Sequence, residues 1–453
     1  FQDLPVYKVV LRQYIAYLLE KRFPMSWALE GTRSRLGKLM PPKYGILKYV
    51  LDAAHDGGIE DVHIVPFVTS FDLIRDVEEY AEEQTGRAKA PESFSWFIGY
   101  LKSLREPMGK VRIDLGKPVV VARAPDPEDK LALSKIAFDA SVNANRVTPI
   151  TETAALCMIL LGTAPRGATA EELVQTMTLI ADWARARGIR LSSELETLDR
   201  TALRATADTL VNSGLIHRDE SGSASVYAIE PAKHAMASYY RNTIVHHFLD
   251  KAIIEFALFK VDDECDGNCE DAFWAEAMRL RDLFKFEFFY PPREQFQRDL
   301  RAELDRTDGQ WSARLAAGGQ ELRRLVRSFQ PFVGHAVLLP FVEAYTIVLD
   351  QFVRLKVGEA LESKACVEQG LAEGRQAYLL RRISSEASIG KILFENGYKM
   401  VEHLGLAGVT TEEVARSRRK LLAEFRGLSR RMEKMRIELL AQAERNAERE
   451  MGT

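Results

Sequence analysis

Nine consecutive residues concentrate the chain's capacity for chemistry: Glu30, Gly31, Thr32, Arg33, Ser34, Arg35, Leu36, Gly37 and Lys38. In an extended loop Arg33 and Arg35 stand two apart and point the same way. With Lys38 they form a cluster of cations on a backbone that its glycines allow to approach an anion closely. Guanidinium forks suit bidentate recognition of a phosphate. Glu30 can orient one arginine or accept a hydrogen bond from a substrate hydroxyl. Charge alone accounts equally well for a solvated basic loop, because this spacing by itself is a weak signal.

Something must carry that loop. Met25–Glu30 (MSWALE) is a short apolar run that reads as a buried strand. The loop then falls just past a strand's carboxyl end, where α/β sheets bind their ligands. Val6–Lys21 has apolar residues at helical spacing, and Tyr44–Ala54 reads as a second helix. Val62–Val68 (VHIVPFV) is a strand rich in β-branched residues. Ser93–Leu104 reads as helix, followed by KVRIDLG and PVVVA as two short strands. This alternation predicts an α/β layer with a largely parallel sheet up to about Ala124.

The Pro- and Asp-bearing segment Ala124–Lys130 is a linker. It separates an expected α/β domain over 1–125 from an expected helical domain over 126–453. Within the second, Ala170–Tyr227 reads as helix, helix and two extended segments around a Gly/Ser turn, resembling a winged-helix unit. Thr411–Glu450 is a charged helix whose Leu421, Phe425, Leu428, Met432, Met435 and Leu439 make one narrow apolar stripe. That stripe suits docking on its own domain, with a membrane-surface or partner role as the rival.

At 453 residues the chain is long enough for two or three domains. With 46% hydrophobic and 28% charged residues it is neither disordered nor fibrous. Its 62 Lys+Arg against 65 Asp+Glu leave a net charge of −3, so no global basic field argues for nucleic acid. Four cysteines exclude a disulfide framework and fit a reducing compartment. The longest apolar runs lie near Ala154–Ala164 and Ala336–Val353, and the second contains Pro340, Glu343 and Asp350. Neither predicts a transmembrane helix, and no signal peptide is read. The opening at Phe1 reads as a piece of a longer polypeptide.

Cys265 and Cys269 sit among Asp262, Asp263, Glu264, Asp266, Glu270 and Asp271. No second Cys pair follows, which disfavours zinc, and Phe273 stands where an EF-hand needs Glu. A solvated acidic loop is the expectation, and no metal site is assigned. Tyr239, Tyr240, Arg241, Asn242, His246 and His247 read as helix-packing residues, with a substrate role as the minority reading.

EGTRSRLGK resembles the third conserved block of the glycerol-3-phosphate acyltransferase family, which includes dihydroxyacetone-phosphate acyltransferases. The family pattern Phe-x-Glu-Gly-x-Arg-Ser-Arg is met at Glu30, Gly31, Arg33, Ser34 and Arg35, with Ala28 in the Phe position. Ile64–Val68, with its Pro66, resembles the fourth block. Ala237–Phe248 (ASYYRNTIVHHF) resembles a segment of the large bacterial enzymes' helical C-terminal region, and FQDLPVYK the residues after the second block. The family's catalytic His-x4-Asp lies upstream of all these. None of the eight histidines here has Asp at that offset; His55 is followed by Glu60.

The resemblance therefore implies an acyltransferase whose catalytic pair lies outside these residues. It implies an α/β acyltransferase domain, a mixed sheet flanked by helices and lacking its N-terminal part, then a large mainly helical domain. The implied reaction moves a long-chain acyl group from acyl-CoA or acyl carrier protein to the sn-1 hydroxyl of glycerol 3-phosphate, giving lysophosphatidic acid. Glu30, Gly31, Thr32, Arg33, Ser34, Arg35 and Lys38 are the implied substrate-binding residues, with Pro66 on the acyl-donor side and no cofactor. Peripheral attachment to the cytoplasmic face of a bacterial membrane is expected with such substrates. Dihydroxyacetone phosphate is the near alternative as acceptor. A non-catalytic membrane or nucleic-acid scaffold is the rival of another class, and Glu171, Glu172, Glu194, Glu196 and Asp199 disfavour nucleic acid.

Overall fold

Two prolines decide how the strands pair. The computed structural model describes residues 5–86, 108–265 and 267–451, and the helix expected over Ser93–Leu104 lies outside them. The run Val62–Val68 is split into β1 (Glu60–Ile64) and β2 (Phe67–Phe71). KVRIDLG and PVVVA form β3 (Val111–Leu115) and β4 (Val119–Arg123). β1 pairs with β4 and β2 with β3, both antiparallel. Between the paired residues Ile64↔Val119 and Phe67↔Leu115, Val65 and Pro66 face Gly116, Lys117 and Pro118. Neither proline can donate to a ladder, so the ribbon breaks there and its register shifts by one residue. The carbonyl of Pro66 accepts from Gly116 N–H at 2.7 Å across the break.

The expected parallel sheet is thus corrected to two small antiparallel ones. The alternation that suggested crossovers misleads because the segment after β2, with its helix Val77–Gln84, belongs to the helical unit. β3 then returns antiparallel to β2. The chain as a whole is mainly helical with small sheets.

Two compact units divide the chain: Phe1–Ser34, Lys38–Phe71 and Val111–Pro149 in the first, and Arg35–Gly37, Asp72–Lys110 and Ile150–Thr453 in the second. In the first, helices Pro5–Glu20, Gly45–Asp56 and Lys130–Val147 join β1–β4. Ile15, Leu47, Val50, Leu51, Val62 and Val121 are among its core residues. Met25–Glu30 pairs with no strand among the described residues, so that expectation is corrected too. The alternation behind it is real. Met25, Trp27 and Leu29 turn half-buried side chains onto the core while Ser26 and Ala28 are exposed. One face of the β2–β3 pair is apolar and open: Phe67 and Phe71 stand opposite Leu115 and Val111, with Ile113 between, all exposed.

In the second unit the apolar helix Gly334–Arg354 packs against Glu412–Met451, Lys391–His403 and Leu249–Glu264. By length and composition it could cross a membrane, but most of it is buried inside the unit. Its first turn is held by Glu255, whose carboxylate accepts from Val333 N–H at 3.0 Å and Gly334 N–H at 2.6 Å. The stripe of the last helix is buried from Leu421 to Met435. Arg418, on that helix, is fully buried and donates to the carbonyls of Leu406, Phe352 and Gly408. Helices Ala170–Arg185, Ser193–Thr197 and Arg200–Asn212 lie in the chain between the first strand and the other two of a small sheet of order β5–β7–β6 (Ala168–Thr169, Val226–Ala228, His217–Asp219). Cys265 and Cys269 are joined in a disulfide, where the sequence suggested only a solvated acidic loop, while Cys157 and Cys366 are free and buried.

Candidate functional site

Glu30 ends the extended segment at a tight turn. Gly31 N–H donates to Ala28 O at 3.0 Å and Gly31 takes φ +66°, a conformation that favours glycine. The turn sets Glu30 on the wall of a cleft of about 1370 Å³ within the first unit. Trp27, Thr32, Ile64, Pro66 and Ala144 also line it, so the strand break and the loop share one cavity. The indole Nε1 of Trp27 is buried without a partner. Burial pushes the Glu30 carboxyl up to about 7, against the opposing pull of the Met40 N–H it accepts from and of Lys38. Lys38 itself is buried, with Nζ 3.3 Å from Met40 Sδ. Near neutral pH Glu30 therefore populates both an acid that can donate a hydrogen bond and a carboxylate that accepts one.

Arg33 is exposed, and Ser34 Oγ lies 3.5 Å from the carbonyl of Lys38. From Arg35 the chain bends, and Arg35–Gly37 belong to the helical unit. There the Arg35 guanidinium pairs with Glu83 at 3.0 Å and lies over the Tyr80 ring, 4.9 Å from its centre. Glu30, Thr32 and Pro66 are brought to one cleft; Arg35 is held elsewhere, by partners in its own unit.

The helix His234–Asn242 grips the bend. Asn242 Nδ2 donates to the carbonyl of Leu36 at 2.8 Å, while its Oδ1 accepts from Arg241 Nη2 at 2.7 Å. Gly37 takes φ +80°, and a Cβ there would sit 2.0 Å from the Tyr239 carbonyl oxygen, so only glycine fits. Tyr239 packs on Tyr80 with ring centres 5.9 Å apart, and the Tyr240 hydroxyl accepts from Ile74 N–H at 2.8 Å. Arg241 is fully buried, and desolvation pushes it down to about 10. Tyr239–Asn242 thus pack as the sequence suggested, and within the helical unit they pack on Leu36 and Gly37. Glu83, Tyr80 and Trp27 were not singled out by sequence; the only signal for Glu83 is the acidic run Glu78, Glu79, Glu82, Glu83, which complements a cation.

The family model for the glycerol-3-phosphate acyltransferase C-terminal region matches residues 80–410. Proteins named "Putative acyltransferase plsB1" in Mycobacterium bovis and in two strains of Mycobacterium tuberculosis are 31% identical over 440 residues, covering 95% of this chain and 70% of theirs. Match and identity extend over both the helical unit and the loop-bearing one, and this chain belongs to the glycerol-3-phosphate acyltransferase family.

Proposed function

We propose that the protein transfers a long-chain acyl group from acyl-CoA, or acyl carrier protein, to the sn-1 hydroxyl of glycerol 3-phosphate. The observation that carries this reading is the turn that sets Glu30 and Thr32, close in sequence to Arg33, on the wall of a large cleft whose lining includes Pro66. Arg33 takes the acceptor's phosphate as a bidentate donor. Arg35 is paired with Glu83 within the helical unit. Glu30 orients the acceptor through its hydroxyls, and the apolar lining near Pro66 receives the acyl donor.

The catalytic His and Asp belong, in this reading, to a segment preceding Phe1. The imidazole takes the proton of the sn-1 hydroxyl as its oxygen attacks the thioester carbonyl carbon. The resulting oxyanion collapses, the carbon–sulfur bond breaks, and the thiolate leaves with a proton returned by the imidazole. The product is lysophosphatidic acid, and the reaction is the first step of phospholipid synthesis. Attachment at the cytoplasmic face of the bacterial membrane is part of the proposal. It is supported by exposed Val6, Val9, Val10, Tyr14 and Tyr17 on the helix Pro5–Glu20.

The test is thiol release from palmitoyl-CoA by the full parent polypeptide in membranes, with glycerol 3-phosphate and dihydroxyacetone phosphate compared as acceptors. Release that depends on glycerol 3-phosphate is expected. A preference for the ketone reassigns the acceptor, and silence with both overturns the reaction.

A further inference from the structure

We propose that Ser384 is a phosphorylation site for a serine kinase that reads arginine, and that the phosphate releases the loop 380–390 from the helix Gly334–Arg354. The site lies in the helical unit and does not depend on the acyl-transfer reading.

Arg381, Arg382, Ile383 and Ser384 set two guanidinium groups three and two residues ahead of a hydroxyl, a charge pattern that an acidic kinase groove selects. Both arginines are exposed, and neither side chain has a hydrogen-bond or ion-pair partner among the described residues. The four residues form a turn and bend after the helix Ser363–Leu379 and before Lys391–His403. Arg381 takes φ +54°, uncommon outside glycine, which marks an irregular segment. Of the loop's three serines only Ser384 is exposed, while Ser385 and Ser388 are buried. Position, accessibility and flanking charge select the same hydroxyl.

One carboxylate clamps this loop. Glu343, buried on the helix Gly334–Arg354, accepts through Oε1 from Ser384 N–H at 2.8 Å and from Ser384 Oγ at 2.7 Å, and through Oε2 from Ser388 Oγ. Burial pushes the Glu343 carboxyl up, and the serine donors oppose that push. Phosphorylation forms a bond between Ser384 Oγ and the γ-phosphorus of ATP and breaks the bond from that phosphorus to ADP. The hydroxyl proton passes to the kinase's base. The product carries about two negative charges where a donor stood. Glu343 then loses one hydrogen bond and meets a dianion, while Arg381 and Arg382 offer the phosphate charge-assisted hydrogen bonds. Both effects draw the loop off the helix. Ala387, Ile389 and Gly390 line one small pocket with Arg35, Leu36 and Asn242, so loss of the clamp reaches the bend that Asn242 grips.

The experiment incubates the full chain with ATP and, as probe, the catalytic subunit of cyclic-AMP-dependent protein kinase, and reads peptide masses and amide hydrogen exchange. Phosphate on Ser384 is expected, with none in Ser384→Ala. The double variant Arg381→Gln, Arg382→Gln should be labelled roughly tenfold more slowly, for want of its charged contacts to the kinase. Exchange over residues 384–390 should quicken about tenfold in the phosphorylated chain. Glu343→Gln keeps an acceptor and removes the repelling charge, so phosphorylation should quicken its exchange less. If Glu343→Gln does not fold, labelling and exchange in the unmodified chain decide. A peptide of residues 377–391 that is labelled while the folded chain is not would overturn the proposal. Labelling indifferent to the two arginines, or exchange unchanged by the phosphate, would do the same.

Discussion

Glu30 holds its proton to about pH 7 in the folded chain, against an ordinary carboxyl value of 4.5. Below 4.5 both folded and unfolded forms are protonated and the residue costs nothing. As pH rises from 4.5 through 7 the unfolded chain ionises first, so stability falls across that window, by up to roughly 3 kcal/mol. Glu30→Gln keeps an acceptor for Met40 N–H and removes the titration. Urea midpoints should coincide for the two proteins at pH 4.5 and favour the variant at pH 8; a gap independent of pH rules this out. Arg33→Ala, in the full parent protein, should raise the acceptor KM by about tenfold or more, the loss of a charged hydrogen-bonding pair. Unchanged KM and kcat would remove Arg33 from the site. The chemistry of these two residues was readable from residue type and from the spacing of one loop. The engagement of Arg35 was not, because Tyr80 and Glu83 lie 45 or more positions along the chain and no local pattern links them to it.

At the scale of elements, the helix His234–Asn242 and the bend at Leu36–Gly37 form one assembly. Asn242→Ala leaves the Leu36 carbonyl without its donor and the buried Arg241 without its acceptor. A loss of about 2–3 kcal/mol is expected, read as a lower denaturant midpoint at unchanged slope. A neutral result would mean the two groups find other partners. Helices were the most legible elements, since Pro5–Glu20 and Gly45–Asp56 fall within a residue or two of their apolar periodicity. Strand content was legible and strand direction was not. Alternating helices and strands mimic a parallel sheet whenever the intervening segment belongs to another unit, and Pro66 with Pro118 only marks the break after the pairing is known. Met25–Glu30 shows the same limit: alternation reports which side chains turn inward, whereas a strand also needs a neighbour.

Across the whole molecule, apolar sequence marks burial without saying in what. The run Ala336–Val353 lies within a helix that forms the core of the helical unit, and Arg418, on the charged last helix, is buried in that unit and binds carbonyls. The same lesson runs in reverse for β2–β3. Phe67, Phe71, Val111, Ile113 and Leu115 present an apolar row on a two-stranded sheet, which has an unpaired backbone edge on either side among the described residues. Such a row beside an open edge is a template for strand addition between molecules. A concentrated stock of this polypeptide should gain light scattering and thioflavin fluorescence after a lag that shortens with protein concentration. Ile113→Lys, a charge on the most exposed of the five, should lengthen that lag several-fold while leaving the melting temperature within a degree or two. A lag unaltered by the lysine would move the nucleus elsewhere. Shelf life, ahead of catalysis, is the property that a single surface charge on this ribbon governs.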